Sequence, residues 1–73
     1  MTRELIEKIQ ARLEKARGKH PDFTKDHITA FSLLLEEVGE VAKAYNDKDI
    51  EAFKEEIIDT IVVLIRMYYE VKE

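Results

Sequence analysis

Apolar residues recur along this chain with the spacing of α-helices, and short polar breaks divide it into three segments. The first segment covers about residues 3–17, with Thr2 placed as an N-cap and Gly18 placed to end the helix in a left-handed C-cap conformation. We predict that this helix is the shortest and that a loop at 19–22 follows it. Its apolar stripe comprises Leu5, Ile6, Ile9, Leu13 and Ala16.

The second segment covers about residues 25–45. Thr24 is a suitable N-cap, and Phe23 and Ile28 are placed to form a hydrophobic staple over the first turn. The polar run 46–48 then predicts a tight turn into the next helix. The apolar face of this second helix, at close to the 3.6-residue period, comprises Ile28, Phe31, Leu34, Leu35, Val38, Val41, Ala42 and Tyr45.

The third segment covers about residues 49–71 and is apolar over roughly half its circumference. Val63 and Met67 extend that character to the opposite side. A helix apolar nearly all round is usually buried, and two companion helices in a chain of 73 residues cannot easily cover it. The main apolar positions are Phe53, Ile57, Ile58, Ile61, Val62, Leu64, Ile65, Tyr68 and Tyr69.

These patterns predict an all-α fold with a single domain spanning residues 1–73. The second and third helices should form an antiparallel hairpin, because a tight turn joins them. We expect homo-oligomerisation to complete the fold into a four-helix-type bundle, because the third helix is too apolar for one copy to bury.

Composition narrows the chemistry that the chain can perform. Hydrophobic residues make up 45% and charged residues 38%, the balance of an ordered helical protein. There is no cysteine, so a metal site must use oxygen or imidazole ligands. The two histidines, His20 and His27, lack partners at ligand spacing and are expected in a loop and at a helix N-terminus.

Charge and hydropathy exclude two classes of partner. The net charge of −4, with both signs interspersed, argues against binding to a nucleic-acid polymer, which requires clustered Lys and Arg. The longest apolar run is 61–65, far shorter than the roughly 20 residues of a membrane span, and the N-terminus has no signal-peptide pattern. A cytoplasmic location is therefore expected, and an anionic substrate would need metal ions to bridge it.

Two pairs of carboxylates carry the candidate chemistry. Glu37 and Glu40 on the second helix, and Glu56 and Asp59 on the third, are each three residues apart and share a helix face. The midpoints of both pairs lie symmetrically about residue 48, so antiparallel packing brings the pairs to the same height. A solvated Glu-rich face is the simpler alternative for either pair alone.

The setting of these acids favours a metal site. Apolar residues share their strips, and no Lys or Arg stands between them, so the four carboxylates would repel one another unless a cation neutralised them. Oxygen-only ligation favours Mg²⁺, with Mn²⁺ as a substitute, and no loop has the spacing of an EF-hand calcium site. Gly39, unfavourable inside a helix, suggests close approach of another backbone or ligand. The strip neighbours are Ala30, Leu33, Ala44, Val63 and Met67.

The acids also resemble the signature of the all-α nucleotide pyrophosphohydrolases, E-E-x-x-E followed after a hairpin by E-x-x-D. Here fifteen residues separate Glu36-Glu37-Val38-Gly39-Glu40 from Glu56-Ile57-Ile58-Asp59. The segment 35–42 is similar to the MazG-like branch, and the resemblance extends over about residues 23–66. It implies hydrolysis of a nucleoside or deoxynucleoside triphosphate between the α and β phosphates, giving a monophosphate and pyrophosphate.

The resemblance also implies residue roles. Glu37, Glu40, Glu56 and Asp59 would be the magnesium ligands, and Glu36 would orient or activate the attacking water or support the ligands. Family members are typically dimers or tetramers, and many continue into a further helix that contributes substrate contacts. This chain ends soon after its third helix, which leaves the nucleotide specificity open.

Residues outside the motif offer candidate substrate contacts. Arg66, on nearly the same strip as Asp59, would meet the departing pyrophosphate or else pair with Glu70. Lys43 would contact substrate or else pair with Glu40 or Asp47. Aromatic residues that would stack on the base, or else belong to the core, are Phe31, Tyr45, Tyr68 and Tyr69.

Three alternative functions remain open at the level of sequence. One is a related enzyme specialised for a single substrate such as dUTP, dCTP or phosphoribosyl-ATP. Another is a non-catalytic helical oligomerisation or regulatory module that retains the metal-binding hairpin. A third, a di-iron carboxylate bundle, is disfavoured because neither histidine stands in a Glu-x-x-His motif.

Overall fold

The computed structural model describes residues 1–71, and in that part the chain consists of three helices without a strand. They are α1 (Arg3–Lys19), α2 (His27–Asn46) and α3 (Ile50–Glu70). The predicted all-α class is confirmed, and α1 is the shortest at 17 residues. The last two residues of the predicted domain lie outside the described part.

Helix α1 begins as predicted but ends differently. The Thr2 hydroxyl caps it by accepting a hydrogen bond from the Leu5 N–H at 3.2 Å. The prediction that Gly18 ends the helix was wrong, since α1 continues to Lys19 and Gly18 has no positive φ. The terminal carbonyls need no glycine turn, because the Arg66 guanidinium donates to the carbonyl of His20 at 2.7 Å.

Helix α2 begins two residues later than predicted. Asp26, and not Thr24, is its N-cap, and the Asp26 carboxylate accepts from the Thr29 N–H at 3.2 Å. A carboxylate suits this position because it also interacts favourably with the positive end of the helix dipole. The predicted staple between Phe23 and Ile28 is absent. The Arg66 guanidinium lies over the Phe23 ring, 5.0 Å from the ring centroid, and Ile28 is exposed.

A tight turn joins α2 to α3, as the sequence predicted. Lys48 adopts a left-handed conformation with φ of 56°, and Asp49 caps α3 by accepting from the Ala52 N–H at 3.1 Å. Tyr45 and Phe53 pack across the turn with ring centroids 5.7 Å apart. The two helices therefore run antiparallel as a hairpin.

Helix α3 lies in the middle of the fold. It packs against α2 on one side and against α1 on the other, and within residues 1–71 α1 and α2 do not pack against each other. The buried core is small and includes one charged residue, Arg66, which is only 3% exposed. The buried apolar residues are Ile9, Ala30, Ala44, Ile58 and Val62.

The side of α2 that meets α3 differs from the predicted apolar face. Ala30 and Ala44 are buried there, with Leu34 and Val41 half-buried between them. Small residues bring two helices close together, so they form this contact in place of the larger ones. The other members of the predicted face are exposed: Ile28, Phe31, Leu35, Val38, Ala42 and Tyr45.

Apolar residues are exposed on α3 as well, at Leu64, Tyr68 and Tyr69. Over the described residues, no helix combines the length and the apolar character needed to cross a membrane. Completion of the bundle by a second subunit stays a prediction.

Candidate metal centre

Three of the four motif acids meet between α2 and α3. Glu37, Glu56 and Asp59 each offer one carboxylate oxygen, and these oxygens all lie within 4.8 Å of one another. Each residue is half-buried. The meeting follows from the register of the hairpin, because the strip of Glu37 is the side of α2 that packs on α3.

Two carboxylate oxygens in this cluster are buried without a hydrogen-bond donor, Oε2 of Glu37 and Oε2 of Glu56. Burial, reinforced by the charges of Glu40, Asp59 and Glu36, raises the pKa of Glu37. Burial first, and then a carboxyl hydrogen bond with Glu40 and the neighbouring charges, raises the pKa of Glu56 to about 7. The cluster thus stabilises a bound proton or cation.

The remaining two motif acids are exposed at the edge of the cluster. Glu40 does not join the group of three, but its carboxyl group lies close enough to Glu56 to share a hydrogen bond when one of them is protonated. Glu36 is exposed beside Glu37 and acts on it only through its charge. The ligand role of Glu40 and the water-orienting role of Glu36 stay predictions.

A cation absent from the sequence-based site lies against the acids. Arg12 of α1 forms a fork, with Nη1 donating to Asp59 Oδ1 and Nη2 donating to Glu55 Oε1. The expectation that no Lys or Arg stands among the acids was therefore wrong. A signal was available, because Arg12 follows Ile9 by three residues and precedes Ala16 by four, the spacing of one helix face.

The prediction that another backbone or a ligand lies close to Gly39 is not met by the chain itself, and approach of a ligand stays a prediction. A methyl group built on this residue would meet no atom within 4 Å, so no other part of the described chain approaches it. The space beside Gly39 is open.

A cleft of about 650 Å³ opens next to the acids, lined by α1, the loop after it, α2 and α3. Its lining includes the acids Glu37 and Asp59 and the cationic residues Lys15 and Lys19 of α1. The apolar lining includes Phe23, Leu33, Val62 and Val63. The sequence did not indicate this cleft, because α1 was not placed relative to the hairpin.

None of the four aromatic residues suggested for base stacking lines this cleft. All are exposed, and Tyr68 packs edge-on against Tyr69 with ring centroids 4.8 Å apart. These residues are Phe31, Tyr45, Tyr68 and Tyr69. They lie neither in the cleft nor in the buried core.

The two suggested substrate-binding cations have other partners. Arg66 is buried, donates from Nε to Glu70 at 3.0 Å, and donates to the carbonyl of His20. Its hydrogen bonds lower the pKa of Glu70. Lys43 is exposed and donates to Asp47 at 2.9 Å. These are the pairings with Glu70 and Asp47 that the sequence offered as alternatives, and a substrate role for either cation stays a prediction.

The donor set fits a hard divalent ion. Oxygen ligands around Mg²⁺ lie about 2.1 Å from the ion, which places them roughly 3 to 4 Å from one another, and the oxygens of the three acids all lie within 4.8 Å of one another. The buried oxygens without donors would gain a partner, and the ion would share the Asp59 carboxylate with Arg12. Comparisons of the chain with protein-family models, curated proteins and solved structures find no match.

Proposed function

We propose that this chain is a Mg²⁺-dependent hydrolase that converts nucleoside or deoxynucleoside triphosphates to monophosphates and pyrophosphate, in the manner of the MazG-like enzymes that its motifs resemble. The observation that carries the proposal is the cluster of Glu37, Glu56 and Asp59, in which one buried carboxylate oxygen of Glu37 and one of Glu56 lack a hydrogen-bond donor. A cytoplasmic location, a role in clearing nucleotide pools and assembly into a dimer or tetramer belong to the same proposal.

Glu37, Glu56 and Asp59 would hold the ion, with Glu40 adjacent; Mn²⁺ would substitute. When bound, Mg²⁺ supplies neutralisation of phosphate oxygens and activation of water. Glu36, exposed next to Glu37, would accept a proton from a water molecule at the edge of the site.

The lining of the cleft is compatible with an anionic substrate that extends from the acids into the cleft. Lys15 and Lys19 line it and would attract phosphate groups that extend away from the carboxylates. Leu33, Val62 and Val63 lie on the apolar part of its surface and would limit the access of water to the anhydride. A triphosphate, with its charge spread over a chain of groups, suits a cleft lined by both acids and lysines.

A non-catalytic module is the second candidate function. The ion pair between Arg12 and Asp59 favours it, because a protein cation already neutralises part of the cluster. In this case the hairpin would serve assembly or regulation, and the acids would bind metal without turnover.

The test is release of pyrophosphate from a panel of NTPs and dNTPs, including dUTP and dCTP, with Mg²⁺ and with EDTA. Wild type is compared with Glu40→Gln and Asp59→Asn, and with Glu51→Gln, which alters an exposed acid in the first turn of α3. We expect metal-dependent release of pyrophosphate together with a monophosphate, lost in the first two variants and kept in the third. Absence of release across the panel, with Mg²⁺ still bound, would favour the module.

The same variants separate catalysis from folding. Both variants should leave the helical content intact. Without metal, Glu40→Gln should keep or raise the thermal midpoint because repulsion between carboxylates is relieved, whereas Asp59→Asn also weakens the pairing with Arg12 and should lower the midpoint slightly. Unfolding of either variant would assign these acids a structural role instead.

A further inference from the structure

Three cationic residues of α1 line the cleft beside the acids. Arg12, Lys15 and Lys19 follow one another at intervals of three and four residues, so they share one face of the helix. We name this set the cationic row. It extends about 10 Å along α1, because each helical residue adds about 1.5 Å. Its first member contacts Asp59, and its last member is the final residue of α1 before the loop.

The two lysines of the cationic row are available to an anion. Both are exposed, and within residues 1–71 the side chains of Lys15 and Lys19 have no partner in an ion pair or a hydrogen bond. Other exposed lysines do pair with acids, as Lys43 does with Asp47 at 2.9 Å. Ammonium groups without a carboxylate partner, gathered in a concave site, raise the local positive potential. The cleft therefore attracts negatively charged ligands.

Arg12 connects the cationic row to the acids. Its fork to Asp59 and Glu55 uses two of the five N–H groups that a guanidinium carries, so further N–H groups are left to donate. The fork also restrains the guanidinium, which lines the cleft. A chain of phosphate groups held at the acids would thus begin beside Arg12 and continue past Lys15 to Lys19.

The cleft gives a nucleobase few specific contacts. The aromatic residues suggested for base stacking lie outside it, and in its lining the Arg66 guanidinium already lies over the ring of Phe23. Phosphate oxygens, in contrast, can accept charge-assisted hydrogen bonds from every member of the cationic row, and such bonds are stronger than those between neutral groups. Binding therefore depends on the phosphate chain and does not require a nucleoside.

We propose that the cleft binds inorganic tripolyphosphate and that the chain hydrolyses it to pyrophosphate and phosphate. The cationic row holds two phosphate groups, and the acids hold the third through their ion. The oxygen of a water molecule forms a bond to the phosphorus of this third group, and the bond from that phosphorus to the bridging oxygen breaks. Pyrophosphate leaves with the bridging oxygen and its electron pair, and the proton of the water passes to the solvent. The hydrolytic step rests on the proposed function, whereas the anion site does not.

Acetylation of lysines tests the site without turnover. The full chain with Mg²⁺ is treated with acetic anhydride in the presence of pyrophosphate, tripolyphosphate or adenosine, and the modified residues are quantified by peptide mass spectrometry. We expect both phosphate compounds to slow the acetylation of Lys15 and Lys19 severalfold and adenosine to have no effect. Lys54 on α3 is exposed, does not line this cleft, and should react at the same rate throughout.

Release of phosphate and pyrophosphate from tripolyphosphate tests the reaction. We expect it to depend on Mg²⁺, with kcat/KM within about tenfold of that for ATP, because the nucleoside adds few contacts. The double variant Lys15→Gln, Lys19→Gln should lower kcat/KM about a hundredfold, through a higher KM, because two charge-assisted hydrogen bonds are lost. The matched control Lys54→Gln should leave it unchanged.

The possible outcomes separate this inference from the proposed function. Hydrolysis of nucleoside triphosphates without hydrolysis of tripolyphosphate, or protection of the lysines by adenosine, would overturn the inference and leave the proposed function standing. Protection by pyrophosphate without hydrolysis of any compound would support the anion site and refute both hydrolytic activities. Equal acetylation of Lys15, Lys19 and Lys54 with and without pyrophosphate would overturn the anion site itself.

Discussion

Replacing Arg12 with methionine should tighten the binding of Mg²⁺. Arg12 donates to Asp59 Oδ1, so the ion and the guanidinium compete for the same carboxylate. Methionine keeps most of the aliphatic length that packs between α1 and α3 but removes the charge and the hydrogen bonds. The acids are then free to bind the ion, at some cost to the attachment of α1.

The magnitude follows from Coulomb's law. A guanidinium charge roughly 6 Å from a divalent ion, with a dielectric constant of about 80, repels it by about 1.4 kcal/mol. This energy corresponds to about a tenfold lower dissociation constant. The lost pair should lower the free energy of unfolding by about 1 kcal/mol, because Asp59 is 35% and Glu55 51% exposed at the side chain and water screens both.

Isothermal titration with Mg²⁺ measures the affinity, and urea unfolding measures the stability. The matched control is Arg17→Met on the same helix, whose guanidinium lies 3.9 Å from Glu70 and away from the acids. Arg17→Met should bind Mg²⁺ as the wild type does. If Arg12→Met is folded but binds Mg²⁺ equally or more weakly, Arg12 positions Asp59 for the ion and does not compete with it.

Three further predictions concern stability and substrate. Because the folded pKa of Glu56 is raised to about 7, its protonated form stabilises the metal-free protein below pH 4.5, and this stability is lost as the pH rises through 7. The thermal midpoint should fall by roughly 5 °C between pH 5.5 and 8, less in Glu56→Gln; an equal fall in the variant would refute this assignment. Arg66→Met should lower the free energy of unfolding by about 3 kcal/mol in urea, because the buried guanidinium no longer donates to the His20 carbonyl and the Glu70 carboxylate; loss of activity with unchanged stability would instead support a pyrophosphate contact. Lys15→Glu should raise KM for a triphosphate about tenfold with little change in kcat, and an unchanged KM would place the phosphates elsewhere.

The hairpin was predictable because its determinants are local. Apolar periodicity and the polar break at residues 46–48 specify two helices and a tight turn, and the register of an antiparallel pair follows from the position of that turn. The meeting of Glu37 with Glu56 and Asp59 is a direct consequence of this register. Sequence reasoning therefore located these acids together without any knowledge of the rest of the chain.

The inner face of α2 was not predictable in the same way. Two apolar stripes of similar strength run along this helix, and periodicity alone does not say which one meets α3. Size decided it: Ala30 and Ala44 permit closer contact than Phe31 or Tyr45. Ranking by hydrophobicity favours the larger residues and so selected the stripe that lies outside.

Contacts that depend on the placement of α1 were also missed. Arg12 contacts Glu55 and Asp59, which are 43 and 47 residues away along the sequence. Arg66 contacts the loop at residues 20–21, which is 45 or 46 residues away along the sequence. Spacing along the chain places Arg12 on the same helix face as Ile9 and Ala16, but it does not reveal which distant residues such a cation meets. Arg66 looked like a surface cation on an amphipathic helix, whereas it closes the end of α1 from within the core.

The separation of α1 from α2 has a consequence for the order of folding. The α2–α3 hairpin has short sequence separations between its contacts, so closing it loses little chain entropy and it should form early. Docking of α1 on α3 closes a longer loop and makes a smaller contact. We therefore expect α1 to dock last during folding and to detach first during local unfolding. Amide hydrogens of α1 should accordingly exchange with solvent faster than those in the middle of α3, and the cleft would be assembled only in the final step.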